Sequence, residues 1–231
     1  GAQATGLAPK KKSFRAAEQD RPDVAEKRRG WTEKRRDIAP DRFVFYDESG
    51  AKTNMTRLYG RRFDGERLVD AVPHGHWSTT SMLSCLRLDG STAAMSLDGA
   101  TDRAAFETYV ERVLVETLQP GDIVVMDNLA PHKSPHAAEC IRRAGADLWL
   151  LPPYSPDLNP IEKMWSKVKE FLRAAKARTE ETLLKAIGEG VEVHEMNHGL
   201  VAKAIQELEE RHSRRPQQTS EATHCPAAKS T

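Results

Sequence analysis

Two aspartates each follow a short apolar run: Asp47 after F-V-F-Y at 43–46, and Asp127 after I-V-V-M at 123–126. A polar residue comes next in both cases, Glu48 or Asn128, as the chain leaves an expected buried strand. Strand ends are where ligand sites gather in α/β sheets. The ordinary alternative for either residue alone is an Asx-turn, with the carboxylate satisfying nearby backbone N–H groups. Together, at the ends of two apolar strands, they point to a site.

Glu162 is the third acid. Asn159, Pro160 and Glu162 read as an N-cap, a first-turn proline and the third position of a capping box, a purely structural use. The helix that follows buries Ile161, Met164, Trp165, Val168, Leu172 and Ala175 along one stripe. Glu162 lies off that stripe, on a face shared with Ser166, Lys169 and Arg173. A carboxylate beside a basic ridge suits a metal site next to a track of DNA phosphates. Three carboxylates are hard oxygen ligands of the kind Mg²⁺ or Mn²⁺ prefers. Two such ions, about 3.5–4 Å apart, serve an in-line displacement at phosphorus. Without cations, acids gathered so closely resist joint ionisation.

The elements that must position these acids can be read from pattern. Short strand candidates at 57–63, 81–88 and 92–97 follow the first strand and suit a hairpin or meander. Thr101 is placed to cap a helix carrying Phe106, Tyr109, Val110, Val113, Leu114 and Leu118 at helical spacing. The strand ending at Asp127 is followed by a helix over about 134–144, an apolar D-L-W-L-L strand and a P-P-Y-S-P-D-L-N-P loop. A strong helix then runs from Pro160 to about Lys176. Antiparallel strands followed by strand–helix–strand–helix imply an α/β fold: a mixed β-sheet with helices on both faces.

Residues 1–40 read as a basic linker or arm. A polar helix is expected within 14–36, with no residue there able to join a core. Residues 1–42 hold twelve Lys or Arg against seven Asp or Glu, an excess suited to phosphate or equally to a solvated linker. Residues 41–190 form the expected catalytic domain, and 191–231 a C-terminal helix bearing Leu200, Val201, Ala204, Ile205 and Leu208 ahead of a polar, disordered tail. No apolar run approaches the ~20 residues of a membrane helix, and no signal peptide is evident. Cys85, Cys140 and Cys225 are an odd set without C-x-x-C spacing, which argues against a disulfide framework or zinc cluster and for a reducing compartment.

The segments F-V-F-Y-D-E-S-G, D-I-V-V-M-D-N-L-A-P-H-K and L-P-P-Y-S-P-D-L-N-P-I-E-K-M-W together resemble the DDE transposases of the Tc/mariner superfamily. They are most similar to its bacterial insertion-sequence 630 group, as is V-P-H-G-H-W at 72–77. Between Asp127 and Glu162 lie 34 residues (162 − 127 − 1), as that resemblance requires. It implies a ribonuclease-H-like fold and metal-dependent cleavage and strand transfer of DNA at the inverted-repeat ends of a mobile element. Further implications are a TA-containing target, a homodimer assembled on DNA, and a bacterial cytoplasmic, nucleoid-associated setting. Asp47, Asp127 and Glu162 take the catalytic and metal-binding roles, with Mg²⁺ or Mn²⁺, two ions, as cofactor. The sequence opens in what resembles the linker that follows the family's N-terminal helix-turn-helix region, which a missing segment or another chain is expected to supply, and the pattern drifts after about Val191.

His132, Lys133, Lys163, Lys167, Lys169 and Arg173 are the candidate DNA contacts; a polar loop and a solvated helix face are the alternatives. Trp165 is expected in the core. Trp77, with His74 and His76, is expected to be structural, and these histidines lack the Cys partners of a persuasive zinc site. The competing functions are a nuclease of the same fold without strand transfer, and a non-catalytic or degenerate DNA-binding subunit of a mobile element.

Overall fold

Alternation of side chains along a strand lets one sheet bury both faces, and the ten-residue strand β1 (Phe43–Lys52) shows how. Val44 and Tyr46 face one apolar layer, while Phe43, Phe45 and Ala51 face the other. The computed structural model describes residues 16–191 apart from 62–64, 66 and 89. Five strands form one sheet in the order β3-β2-β1-β4-β5, with β2 (Thr79–Leu86), β3 (Thr92–Asp98), β4 (Ile123–Met126) and β5 (Asp147–Leu150). β1, β2 and β3 are antiparallel neighbours, whereas β4 and β5 run parallel to β1. The mixed sheet expected from the pattern is thus present.

Helices cover both faces. Against Val44, Tyr46, Leu83, Val124 and Met126 pack α2 (Arg103–Tyr109) and α3 (Pro135–Arg143), through Phe106, Tyr109 and Ile141. The chain after α2 widens into a π turn over Val110–Leu114, then tightens over Val115–Thr117. Asp102, not Thr101, caps α2, its carboxylate accepting from the Ala105 N–H at 2.8 Å. Thr and Asp are both good caps, and the helix begins one residue later than the spacing implies.

The opposite face is covered by α4 (Ile161–Ala175) and α5 (Glu180–Val191), through Ile161, Trp165, Val168, Leu172, Leu183 and Ile187. Trp165 is buried, as expected. α5 is absent from the sequence reading, although Leu183, Ala186, Ile187 and Val191 carry a helical period. Thr179 starts it, exchanging hydrogen bonds with Thr182 and accepting from the Leu183 N–H. The strand candidate at 57–63 forms no strand among its described residues, and the helix around Leu200 to Leu208 lies outside the described residues.

The arm contains the clearest correction. Residues Pro22–Arg35 form α1, and its Val24 and Trp31, seven apart and so on one helix face, are buried. Trp31 packs with Phe43, Ile123, Val125 and Leu151 on the α4 side of the sheet. Two apolar side chains in a charged stretch are too sparse to read as a periodic stripe, yet they suffice to dock a helix.

Candidate active site

β1 does not stop at Asp47, as the turn-forming residues after it imply; it continues to Lys52 because β2 pairs with it from Phe45 to Lys52. On its other side the parallel pairing with β4 ends at Phe45 and Val125. The register offset there is 80, since Phe43 pairs with Ile123 and Phe45 with Val125. Carried two residues further, it sets Asp47 level with Asp127, just past the last residue of β4. Asp47 shares the parity of Phe43 and Phe45 and so belongs to the face on which Trp31 packs, whereas Asp127 lies past the end of β4, where the His132 ring between Tyr46 and Phe106 reaches its Oδ1.

Glu162 enters this site from the first turn of α4. The capping-box reading is corrected: Pro160 is the N-cap, without a side-chain cap bond, and Asn159 is used elsewhere. Its buried amide Nδ2 donates to the Tyr46 carbonyl at 3.3 Å, which ties the approach to α4 to the residue before Asp47. Glu162 is exposed and is not drawn into a capping bond with Asn159.

Electrostatics tie Asp47 to the other two acids. Burial pushes the Asp47 carboxyl up from an ordinary 3.8 to about 7; a hydrogen bond from the Glu48 backbone N–H opposes this, while repulsion from Glu162, Asp127 and Glu48 adds to it. Glu162 and Asp127 are therefore both close enough for Asp47 to feel their charge. As the side chains stand, no group of three or more His, Cys, Asp or Glu among the described residues is gathered as around an ion. Asp127 Oδ1 is engaged by the His132 ring and by the Leu129 N–H at 3.2 Å. The Asx-turn alternative is real at this residue and coexists with its place beside Asp47.

His132 is not where a phosphate contact would be. Its side chain is only 2% exposed, between the rings of Tyr46 and Phe106. Nδ1 meets Asp127 and Nε2 lies 3.2 Å from Glu48 Oε1, the oxygen that also accepts the Tyr46 hydroxyl at 2.8 Å. Burial works against the charged ring, but the hydrogen bonds to Asp127 and Glu48 outweigh it and raise its pKa from 6.5 to about 9. This four-residue network is missing from the sequence reading. The signal available was the five-residue spacing from Asp127 to His132, one tight turn that folds the ring back over the acid.

Of the other candidates, Lys133, Lys163, Lys167 and Arg173 are exposed and Lys169 is half-buried. Lys169 and Arg173 share the Glu162 face of α4, whereas Lys163 and Lys167 lie about a quarter-turn or more away. His74 and His76 are exposed and Trp77 is 49% exposed, so their expected structural role is not met. Lys52 Nζ sits 5.8 Å from the Trp77 ring.

Comparison with known proteins decides the family. Residues 42–184, 143 of 231 positions, match the model of the DDE superfamily endonuclease domain. The chain belongs to the DDE superfamily of endonucleases. It is 30% identical over 140 residues to the transposable element Tcb2 transposase of Caenorhabditis briggsae, spanning 59% of this chain and 50% of that protein. It is 25% identical over 127 residues to the Tc1 transposase of Caenorhabditis elegans, spanning 53% and 46%. The chain thus spans about half the length of the curated relatives it matches. Among solved structures it is similar to a Mos1 transposase paired-end complex with the left transposon end, at TM-score 0.63 and 16% identity over 90% of this chain and 65% of that one. The catalytic domain of Mos1 mariner transposase matches at TM-score 0.56 and 16% identity, over 86% and 92%. These likenesses establish the fold as the ribonuclease-H-like one of this DDE family. Among the described residues no helix is long and apolar enough to cross a membrane.

Proposed function

We propose that this DDE-family chain is the catalytic part of a transposase of the insertion-sequence 630 group, cutting DNA at the inverted-repeat ends of its element and joining the freed end to a TA-containing target. The observation that carries this reading is Asp47 on β1 with Asp127 just past the end of the neighbouring parallel strand β4, the charges of Asp127 and Glu162 both being felt at Asp47. The relatives named as transposases support it, as do neighbours solved as paired-end complexes with Mn and with Mg.

The donor set fits a hard divalent cation. It offers carboxylate oxygens, and on the segment leading to Glu162 the buried Oδ1 of Asn159, which has no hydrogen-bond partner among the described residues. Asp47, Asp127 and Glu162 would hold Mg²⁺ or Mn²⁺, two ions. Such cations neutralise the scissile phosphate and make a hydroxyl nucleophilic at neutral pH. The chain's own residues supply the rest. Asp47, whose carboxyl burial raises to about 7, would hold the cation as a carboxylate. His132 holds Asp127 through Oδ1. Lys169 and Arg173, on the Glu162 face, and the exposed Lys133, Lys163 and Lys167 are suited to track phosphates, so binding falls steeply with salt. DNA is the partner, two copies assemble on it, and the bacterial nucleoid is the setting.

The test is incubation of the chain with DNA bearing inverted-repeat ends and Mn²⁺, beside Asp127→Asn. Cleavage followed by joining, lost in the variant, is the expected result. Cleavage without joining assigns a nuclease instead, and metal-independent binding without cleavage assigns a non-catalytic subunit.

A further inference from the structure

α1 lies outside residues 42–184, the span that matches the family, yet it grips the loop that delivers Glu162. Arg28 makes a two-pronged pair with Asp157, Nη1 to Oδ1 at 3.0 Å and Nη2 to Oδ2 at 2.7 Å. The same Nη1 donates to the Ser155 hydroxyl at 2.6 Å, and that hydroxyl donates to the Pro153 carbonyl at 3.0 Å. Gln19, just ahead of α1, donates to the Tyr154 carbonyl at 2.7 Å and to Asp157 at 3.1 Å. Tyr154 stands at φ +56°, a conformation a tyrosine adopts only when its surroundings enforce it. Ser155 is buried, and the Arg28 side chain is only 20% exposed, so the grip is partly shielded from water.

From this turn the chain has only Leu158, Asn159 and Pro160 before α4 begins. Leu158 packs against the Trp31 cluster, and Asn159 binds the Tyr46 carbonyl. The segment is thus pinned at one end by α1 and at the other by β1, next to Asp47. A guanidinium fork fixes both the distance and the plane of a carboxylate, which an ammonium cannot do.

We propose that Arg28 is a positioning residue for Glu162: by holding the Ser155–Asp157 turn, it sets where α4 starts and hence where the third acid sits relative to Asp47 and Asp127. This rests on the reading of Glu162 as a ligand, and the test separates the two.

In the full chain, amide hydrogen exchange at Glu162 and Lys163 is compared for wild type, Arg28→Ala, Arg28→Lys and the exchanged pair Arg28→Asp with Asp157→Arg. Melting temperature is then followed as Mn²⁺ is added. Arg28→Ala is expected to speed exchange at the start of α4, leave β1 amides unchanged, and raise the half-saturating Mn²⁺ concentration about tenfold, the usual scale for a group that orients a ligand. Arg28→Lys recovers part of this and the exchanged pair more. Unchanged exchange at Glu162 in Arg28→Ala overturns the proposal, and so does faster exchange with a wild-type Mn²⁺ response. A wild-type chain indifferent to Mn²⁺, with exchange still faster in Arg28→Ala, sinks the ligand reading and leaves the clamp standing.

Discussion

His132 joins Glu48 across the sheet: its Nε2 lies 3.2 Å from Glu48 Oε1 while its other ring nitrogen holds Asp127. A single buried ring therefore couples the residue after Asp47 to the second aspartate. Because the folded pKa of His132, about 9, exceeds the ordinary 6.5, the charged ring contributes stability that is complete below pH 6.5 and disappears as pH rises through about 9. The melting temperature of the wild-type chain should fall across that window. In His132→Gln the fall should be absent and the stability at pH 7 lower by ~2 kcal/mol. Melting curves from pH 6 to 10 check it; a variant with the wild-type slope refutes the assignment.

Asp47 changes stability with pH in the same direction, at lower pH and through a carboxyl that burial keeps protonated. Its carboxyl is held near 7 against an ordinary 3.8, so the folded chain binds the extra proton and loses stability as pH climbs from about 4 to 7. The full linkage amounts to ~4 kcal/mol, which water reaching the open side of the site reduces to ~2 kcal/mol. Metal-free Asp47→Asn should therefore be more stable than wild type at pH 7.5 and about equal at pH 4. Urea titrations at the two pH values measure the difference. Equal stability at both would remove the crowding argument.

Divalent ions should reverse that penalty. Adding Mn²⁺ or Mg²⁺ at pH 7.5 is expected to raise the wild-type melting temperature, by an amount that grows with concentration. Asp47→Asn and Asp127→Asn should each lose most of the rise, and their DNA cleavage should fall by about a hundredfold or more. Calorimetry with chelator-treated protein shows either outcome.

Trp31 tests the arm. Its burial against Phe43, Ile123 and Leu151 predicts that Trp31→Ala costs ~3 kcal/mol, as for a core aromatic, although it sits in a stretch that composition marks as solvated linker. A cost below ~0.5 kcal/mol, as at an open surface, would contradict the docking of α1.

Much of the architecture was legible because F-V-F-Y in β1, I-V-V-M in β4 and L-W-L in β5 are apolar runs and α4 carries an apolar stripe, and the two aspartates stand where the runs of β1 and β4 end. What sequence could not convey lies in long-range choices. Asn159 looks like an N-cap, but the Tyr46 carbonyl, 113 positions earlier, claims its amide. His132 looks like a solvent-facing loop residue until two carboxylates and two aromatic rings close around it. Charge dominated the reading of α1, where Val24 and Trp31 were the informative residues.

The constant offset of 80 between β1 and β4 makes the acid pair a property of alignment as much as of composition. Sliding β1 by one residue would turn Asp47 inward beside Phe106 and Tyr109 and bring Tyr46 out in its stead, with every acid still in the chain. Lengthening the connection between Lys52 and Thr79 would leave that frame intact, whereas one residue gained or lost between Phe43 and Asp47 would destroy it. Drift in this lineage should therefore accumulate in the long connection and be purged from those five positions.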